Sequence, residues 1–271
     1  MEIENKRVLI TGAASGIGRA LAMSVAIRSP KDIVLVDRNE SGLRETEAAL
    51  AKGGFSVHLE VCDLVDGTAI ANLATNVLSK IDCIDLLFAN AGISRTGDLT
   101  TSEDDWTDSF NVNVMSQVRL ARQFVPKMIE AGGGYVVNTA SAAGLLTSLG
   151  ALSYAVTKHG SVAFSEWLAI NHAPDNIRVS VLCPMGVRTN MLFPADSATS
   201  SMEENLAHRS VVESGTVKEA DEVAEFVMEK IGEEEFLILP HPEVAEFYSF
   251  RANATSKWIR SMAKYQQSLI N

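Results

Sequence analysis

The sequence predicts an α/β fold: a doubly wound, mainly parallel sheet of seven strands with helices on both faces. Three observations lead there. Short β-branched runs alternate with longer amphipathic stretches, the pattern of successive βαβ units. The runs are nearly continuous in Val, Ile and Leu, as strands covered on both sides must be. A glycine-rich turn, "TGAASGIG" at 11–18, joins the first run directly to the first amphipathic stretch. In open sheets of this kind, ligands sit beyond the carboxyl ends of the strands.

Each element follows from its residues. "RVLIT" (7–11) reads as a strand and 16–29 as a helix stopped by Pro30. "DIVLVD" (32–37) is the second strand, and 40–54 a helix closed by a glycine pair. "SVHLEVCD" (56–63) and "IDLLFAN" (84–90) are strands around a helix at 67–80. A long helix is expected over about 103–131, ending at "GGG". "YVVNTAS" (135–141) and "RVSVLCP" (178–184) flank the helix holding "SYAVTKHG". A helix near 219–231, the strand "EFLILP" (235–240) and a C-terminal helix over 243–268 complete the chain. With no repeat or linker, residues 1–271 are expected to form one domain.

Composition removes several function classes. A net charge of −11 lacks the basic face that nucleic acid needs, and disfavours anionic membrane surfaces. No secretory signal pattern opens the chain, and no apolar run reaches the roughly 20 residues that span a bilayer. Cys62, Cys83 and Cys183 are far apart and form no Cys-x-x-Cys, so neither a disulfide framework nor a metal site is indicated. Buried thiols in a reducing compartment point to the cytoplasm. The five histidines are scattered without ligand spacing, and His159 reads as structural.

Candidate chemistry falls just after strands. Gly12, Gly16 and Gly18 meet three needs of a phosphate-binding turn: a tight bend, close backbone approach to a pyrophosphate, and close helix–sheet contact. The helix N-terminus would face the anion with free N–H groups. Asp37 ends the second strand, where a carboxylate accepts hydrogen bonds from ribose hydroxyls and repels a 2′-phosphate. Arg38 beside it pulls the other way, whereas Ser15 adds no cation within the turn. NAD(H) is therefore favoured over NADP(H). Tyr154 and Lys158, four positions apart, share one face of a helix. On its own that pair fits either a packed tyrosine beside a solvated lysine or a phenol tuned by an ammonium.

Taken together, the glycine turn, Asp37 and Tyr154–Lys158 resemble the shorter, single-domain branch of the short-chain dehydrogenase/reductase family, over about residues 5–240. That family has a Rossmann-like fold. The resemblance places Ser15, Ile17, Asp63 and Leu64 against the cofactor along with the glycine turn. "NAG" (Asn90, Ala91, Gly92) matches the motif ending the fourth strand. Asn113 in "NVNV" and Ser141, thirteen residues before Tyr154, align with the family's catalytic Asn and Ser. One departure stands out: the usual Pro-Gly-x-Val-x-Thr reads "PMGVRT" here. Pro184, Gly186, Val187 and Thr189 keep cofactor-binding places, while Met185 replaces a glycine and reads equally as pocket lining or loop filler.

The resemblance implies a hydride moving between nicotinamide and a carbon bearing oxygen. Tyr154 is then the general acid/base, its phenol lowered by Lys158, which also binds ribose, and by the charge of the nicotinamide. Ser141 stabilises the substrate oxygen, and Asn113 positions a water that relays the proton. Residues 190–215 form a variable lid whose Met191 and Leu192, with Met185, line a pocket for an apolar or aromatic secondary alcohol or ketone. The segment 243–271 is read either as packing on the parent domain or as a subunit contact or lid. A homodimer or homotetramer is implied. Two rival readings are an NADP(H)-dependent 3-oxoacyl-thioester reductase and a non-catalytic dinucleotide sensor.

Overall fold

The computed structural model describes residues 1–50, 53–194 and 201–270. Residues 51–52 at the end of the expected second helix, 195–200 in the expected lid, and 271 lie outside the described residues. Strands β1 (Arg7–Thr11), β2 (Asp32–Asp37), β3 (Ser56–Val61), β4 (Leu86–Ala89), β5 (Gly134–Thr139) and β6 (Ile177–Leu182) alternate with helices. These helices are α1 (Gly16–Ala26), α2 (Glu40–Ala49), α3 (Gly67–Lys80), α4 (Glu103–Phe110), α5 (Ser116–Glu130) and α6 (Leu152–His172). Strands β7 (Val187–Arg188) and β8 (Lys218–Glu219) form a small separate ladder around α7 (Met202–Val212). Helix α8 (Ala220–Gly232), strand β9 (Leu237–Ile238), α9 (Glu243–Asn253) and α10 (Thr255–Ile270) finish the chain.

The main sheet runs β3-β2-β1-β4-β5-β6-β9, and every neighbouring pair is parallel. This is the Rossmann-like order, which turns outward in both directions from the β1–β4 junction and opens a crevice there. Side chains alternate across it as the two-residue strand period requires. Ile10, Leu35, Phe88 and Val137 join one buried cluster with α1 and α8, and Leu9, Val34, Leu87 and Val136 join another with α3 and α5. Each fully buried aliphatic side chain stabilises the fold by about 2 kcal/mol.

Local chemistry sets several helix ends. The Asn39 side chain accepts from Gly42 N at 3.1 Å to start α2, and Asp66 accepts from Thr68 N at 2.7 Å to start α3. Ser15 begins α1 in an extended conformation and its side chain makes no cap. That leaves the first-turn N–H groups to another acceptor.

The structure breaks the two longest expected helices. The stretch 103–131 is interrupted by a π-turn at Asn111–Met115, where Ser116 N reaches back five residues to the Asn111 carbonyl oxygen. The C-terminal helix breaks at Ala254 (φ −144°, ψ 49°) into α9 and α10. The last strand is confined to Leu237–Ile238, the two residues that pair with β6. Helix α7 adds regular structure to the expected lid, and a Ser201–Glu204 capping box starts it.

Candidate active site

A cleft of about 1370 Å³ runs along the carboxyl ends of the strands. At one end it is lined by Ser15, Asp37, Arg38, Asp63 and Leu64, and in the middle by Gly12, Gly16, Ile17, Asn90, Ala91 and Gly92. Ser141, Tyr154, Lys158, Pro184, Val187 and Thr189 follow, and then Met185, Met191 and Leu192. Three of the residues singled out in the sequence do not line it: Gly18, Asn113 and Gly186. Each supports a neighbour that does.

The glycine turn is compact for steric reasons. Gly12 and Gly16 have φ of +69° and +52°, values that L side chains rarely adopt. A Cβ on Gly18 would overlap the Gly12 carbonyl oxygen, so Gly18 supplies helix–sheet contact and not cleft surface. The Asp37 carboxylate is held in place by Ala14 N (3.2 Å) from the turn and by Asn39 N (3.0 Å). Thr11 and Asn90 stitch the strand ends into a floor. Thr11 Oγ1 accepts from Asn90 N and Ala91 N at 3.0 Å each, and Thr139 Oγ1 donates to Asn90 Oδ1 at 3.0 Å. A Cβ on Gly92 would come within 3.1 Å of Lys158 Nζ and 3.2 Å of Asn113 Oδ1. A side chain at position 92 would press on both, so glycine suits the close approach of these three residues.

Ser141 leaves β5 in extended conformation; its Oγ accepts from Ala143 N at 3.1 Å and lies 3.4 Å from the Pro184 carbonyl oxygen. Tyr154 and Lys158 stand in the first and second turns of α6. Lys158 is 2% exposed, its Nζ donates to the Thr139 carbonyl oxygen at 2.9 Å, and it lies 5.6 Å from the centre of the Tyr154 ring. Burial lowers the Lys158 ammonium to about 8.

The protein's own groups do not by themselves produce the lowering of the Tyr154 phenol expected from Lys158 together with the nicotinamide charge. Burial pushes the phenol above its ordinary range, and the Ser141 hydrogen bond, which favours the phenolate, offsets only part of that. The ammonium is directed at a carbonyl instead of the phenol oxygen, and its own charge is destabilised by the same burial. The protein's own groups therefore hold Tyr154 protonated.

Asn113 is held by the protein through its side chain. It is 0% exposed and sits in the π-turn, a distortion common at functional sites. Its Nδ2 donates to the Ile93 carbonyl oxygen (2.9 Å) and Thr157 Oγ1 (3.0 Å), while Oδ1 accepts from Ile93 N (2.8 Å). Both amide hydrogens are taken, so the side chain braces the segment after "NAG".

The loop with the departure is locked by a residue that sequence reasoning missed. His241 is fully buried; its Nδ1 accepts from Met185 N (3.2 Å) and its Nε2 donates to the Gly186 carbonyl oxygen (3.0 Å). Burial holds this imidazole below its usual value. Gly186 also accepts from Lys218 N at 2.9 Å, closing the β7–β8 ladder. Met185 both fills the loop and lines the cleft, with its sulfur 3.7 Å from Ser214 Oγ. The only sequence signal for His241 was its place just after the last strand.

A family profile described as short chain dehydrogenase matches residues 6–200. The chain belongs to the short-chain dehydrogenase/reductase family. It is 31% identical over 247 residues to 1-deoxy-11-beta-hydroxypentalenate dehydrogenase of Streptomyces avermitilis, covering 90% of this chain and 87% of that one. A short chain dehydrogenase/reductase from Burkholderia phymatum, solved in complex with NAD, superposes with a TM-score of 0.84 at 33% identity, covering 94% and 96% of the two chains. L-sorbose reductase from Gluconobacter frateurii, solved with NADPH and L-sorbose, gives 0.76 at 27% identity over 88% and 95%. This family member is an oxidoreductase for hydroxyl or keto substrates that uses a nicotinamide dinucleotide. Among the described residues no helix is long and apolar enough to cross a membrane.

Proposed function

We propose that this short-chain dehydrogenase/reductase moves a hydride between NAD(H) and a secondary alcohol or ketone of apolar or aromatic character. The observation that carries the reading is the convergence of Ser141, Tyr154 and Lys158 on one cleft wall next to an uncapped helix N-terminus. The residues fit a dinucleotide: the positive-φ glycines leave a cradle that any Cβ would fill, and Asp37 is held rigidly at the far end. Gly12, Gly16 and Ile17 would hold the pyrophosphate, Asp37 the adenosine ribose, Asp63 and Leu64 the adenine, and Lys158 the nicotinamide ribose. Val187 and Thr189 would hold the carboxamide. When bound, the dinucleotide supplies or takes up the hydride and, when oxidised, adds a positive charge near Tyr154.

The chain's own groups handle the proton. Tyr154 Oη donates it to a carbonyl oxygen in reduction and accepts it from the hydroxyl in oxidation. Ser141 Oγ donates a hydrogen bond to the same substrate oxygen and stabilises its developing charge. Lys158 supports the phenolate through space while it remains charged. Steady-state assays over a panel of secondary alcohols, with NAD and NADP side by side, test the reading. Dinucleotide binding without turnover on any alcohol or ketone would favour a non-catalytic sensor instead.

The coenzyme choice rests on Asp37, whose charge opposes a 2′-phosphate. One observation favours the NADP(H) reading, with a 3-oxoacyl thioester as substrate: Arg38 is exposed and lines the same end of the cleft. Removing the charge decides between them. Asp37→Asn keeps the acceptor for Ala14 N and should raise the NADP/NAD ratio of kcat/KM by about tenfold or more, since like-charge contacts cost several kcal/mol. An unchanged ratio would mean that Asp37 does not discriminate.

The partner is taken to be a second copy of this chain, in the reducing cytoplasm that three buried free thiols suit. Val156, Trp167 and Ile170 lie on one face of α6, and Trp167 and Ile170 remain 55% and 75% exposed. Trp167→Glu should shift the molar mass seen by light scattering toward that of the monomer. A mass already monomeric in the wild type would refute the association.

A further inference from the structure

Helices α9 and α10 turn Phe247, Phe250, Trp258, Met262 and Tyr265 toward the same cleft that holds Ser141 and Tyr154. Hydride transfer needs none of them. At the end of α9 lies the half-buried Arg251. Its Nη1 donates to the Leu145 carbonyl oxygen and to His159 Nε2 (3.2 Å), and its guanidinium lies 5.3 Å over the Trp258 ring. None of these partners is a carboxylate. His159 is turned to receive that bond because its Nδ1–H donates to the Ala155 carbonyl oxygen at 2.8 Å. Leu145 closes the short turn (Ala142–Gly144) that begins at Ser141, and His159 follows Lys158 on α6. One guanidinium thus ties the C-terminal helix pair to both segments that carry the reacting groups.

We propose that Arg251 is a positioning residue that latches α9 and α10 over the reaction centre, and that the aromatic chamber so closed selects bulky, uncharged, ring-bearing secondary alcohols or ketones over short-chain ones. This rests on the secondary alcohol/ketone reading of the cleft given above. Bulk follows from the lining. Each methylene withdrawn from water raises affinity roughly fourfold, and five apolar or aromatic faces stay uncovered by a small alcohol. Neutrality follows from charge. The cations lining the cleft are Arg38, at the Asp37 end, and Lys158, which is spent on Thr139; Glu204 lines the wall near α7. An anionic substrate would meet a carboxylate there and, among the described lining residues, no free cation.

The test compares wild type, Arg251→Met and Arg251→Lys in reduction of 2-decalone and 2-butanone. Wild type should prefer 2-decalone. Arg251→Met should raise the KM for 2-decalone about tenfold, with kcat within about twofold and 2-butanone kinetics unchanged, because loss of remote positioning removes binding and not chemistry. Arg251→Lys should fall between, since a single ammonium cannot span the acceptors that a planar fork reaches. It also remains as a readout if the methionine variant does not fold. Hydrogen exchange should quicken across 255–270 in Arg251→Met and stay unchanged in the sheet. Unaltered selectivity together with unaltered exchange in α10 would overturn the latch. Should wild type reduce neither ketone, the underlying reaction is wrong, and quenching of tryptophan fluorescence by 2-decalone judges the latch separately. Weaker binding in Arg251→Met supports it and equal binding refutes it.

Discussion

Tyr154→Phe is expected to lower kcat by about 10³-fold or more, the range typical of losing a positioned general acid/base. Only the hydroxyl is removed, so ring packing against Lys158 survives and dinucleotide affinity, measured by quenching of protein fluorescence, should stay within about twofold. The loss should be similar in both directions, because one oxygen serves as acid and as base. The structure also makes the pH dependence informative. Burial raises the phenol, so in the protein alone the base form is scarce near neutrality. Oxidation by wild type should climb with pH as Tyr154 gives up its proton, and Tyr154→Phe should erase that climb. A variant that turns over at near-wild-type rates would remove Tyr154 from the chemistry.

Lys158→Met should do two opposite things: abolish turnover and stabilise the fold. An ammonium that is 2% exposed and lowered from 10.5 to about 8 by burial is a charge the folded state holds at a cost. The difference of about 2.5 corresponds to as much as ~3 kcal/mol, at about 1.4 kcal/mol for each unit. The sign follows from linkage. Between about 8 and 10.5 the unfolded chain binds a proton that the folded one releases, so wild-type stability rises with pH there. The advantage of Lys158→Met in urea unfolding should therefore be largest below about pH 8 and fade towards 10.5. Losing the bond to the Thr139 carbonyl oxygen subtracts about 1 kcal/mol throughout. A variant less stable than wild type at neutral pH would mean that Lys158 is held for structure and not for reaction.

Much of this site could be read from the chain because its parts lie close together along it. "RVLIT" and "DIVLVD" end where β1 and β2 end. Those runs are bounded by turn residues and covered on both faces, so periodicity and punctuation agree. Ser141, Tyr154 and Lys158 fall within one strand–helix unit, and short spacings carry their geometry. What stayed hidden depends on distant contacts or on burial. Arg251 meets His159 and Leu145 across 92 and 106 residues. No local pattern marks such a pair. His241 is invisible for the same reason, since its partners lie 55 and 56 residues away. The acidity of Tyr154 in the protein alone is not legible in the chain, because spacing predicts a neighbour but not the direction of its N–H bonds or the loss of water around both groups. A helical period likewise persists on either side of Asn111–Met115 and gives no warning of the π-turn between.

That turn has a consequence for how the two sides of the cleft are phased. A π-turn takes in one residue more than an α-helical turn, so α4 and α5 are rotated by about 100° relative to an unbroken helix. Leu120, Phe124 and Met128 of α5 stay locked against the sheet, while Ser109 of α4 meets Ser153 at the head of α6 at 3.2 Å. A regular helix could satisfy one of these contacts but not both. The extra residue works as a vernier: it lets a rod gripped by the core present its upper end squarely to the helix that bears Tyr154. Asn113 sits at that joint, so the setting of the one is carried into the brace of the other.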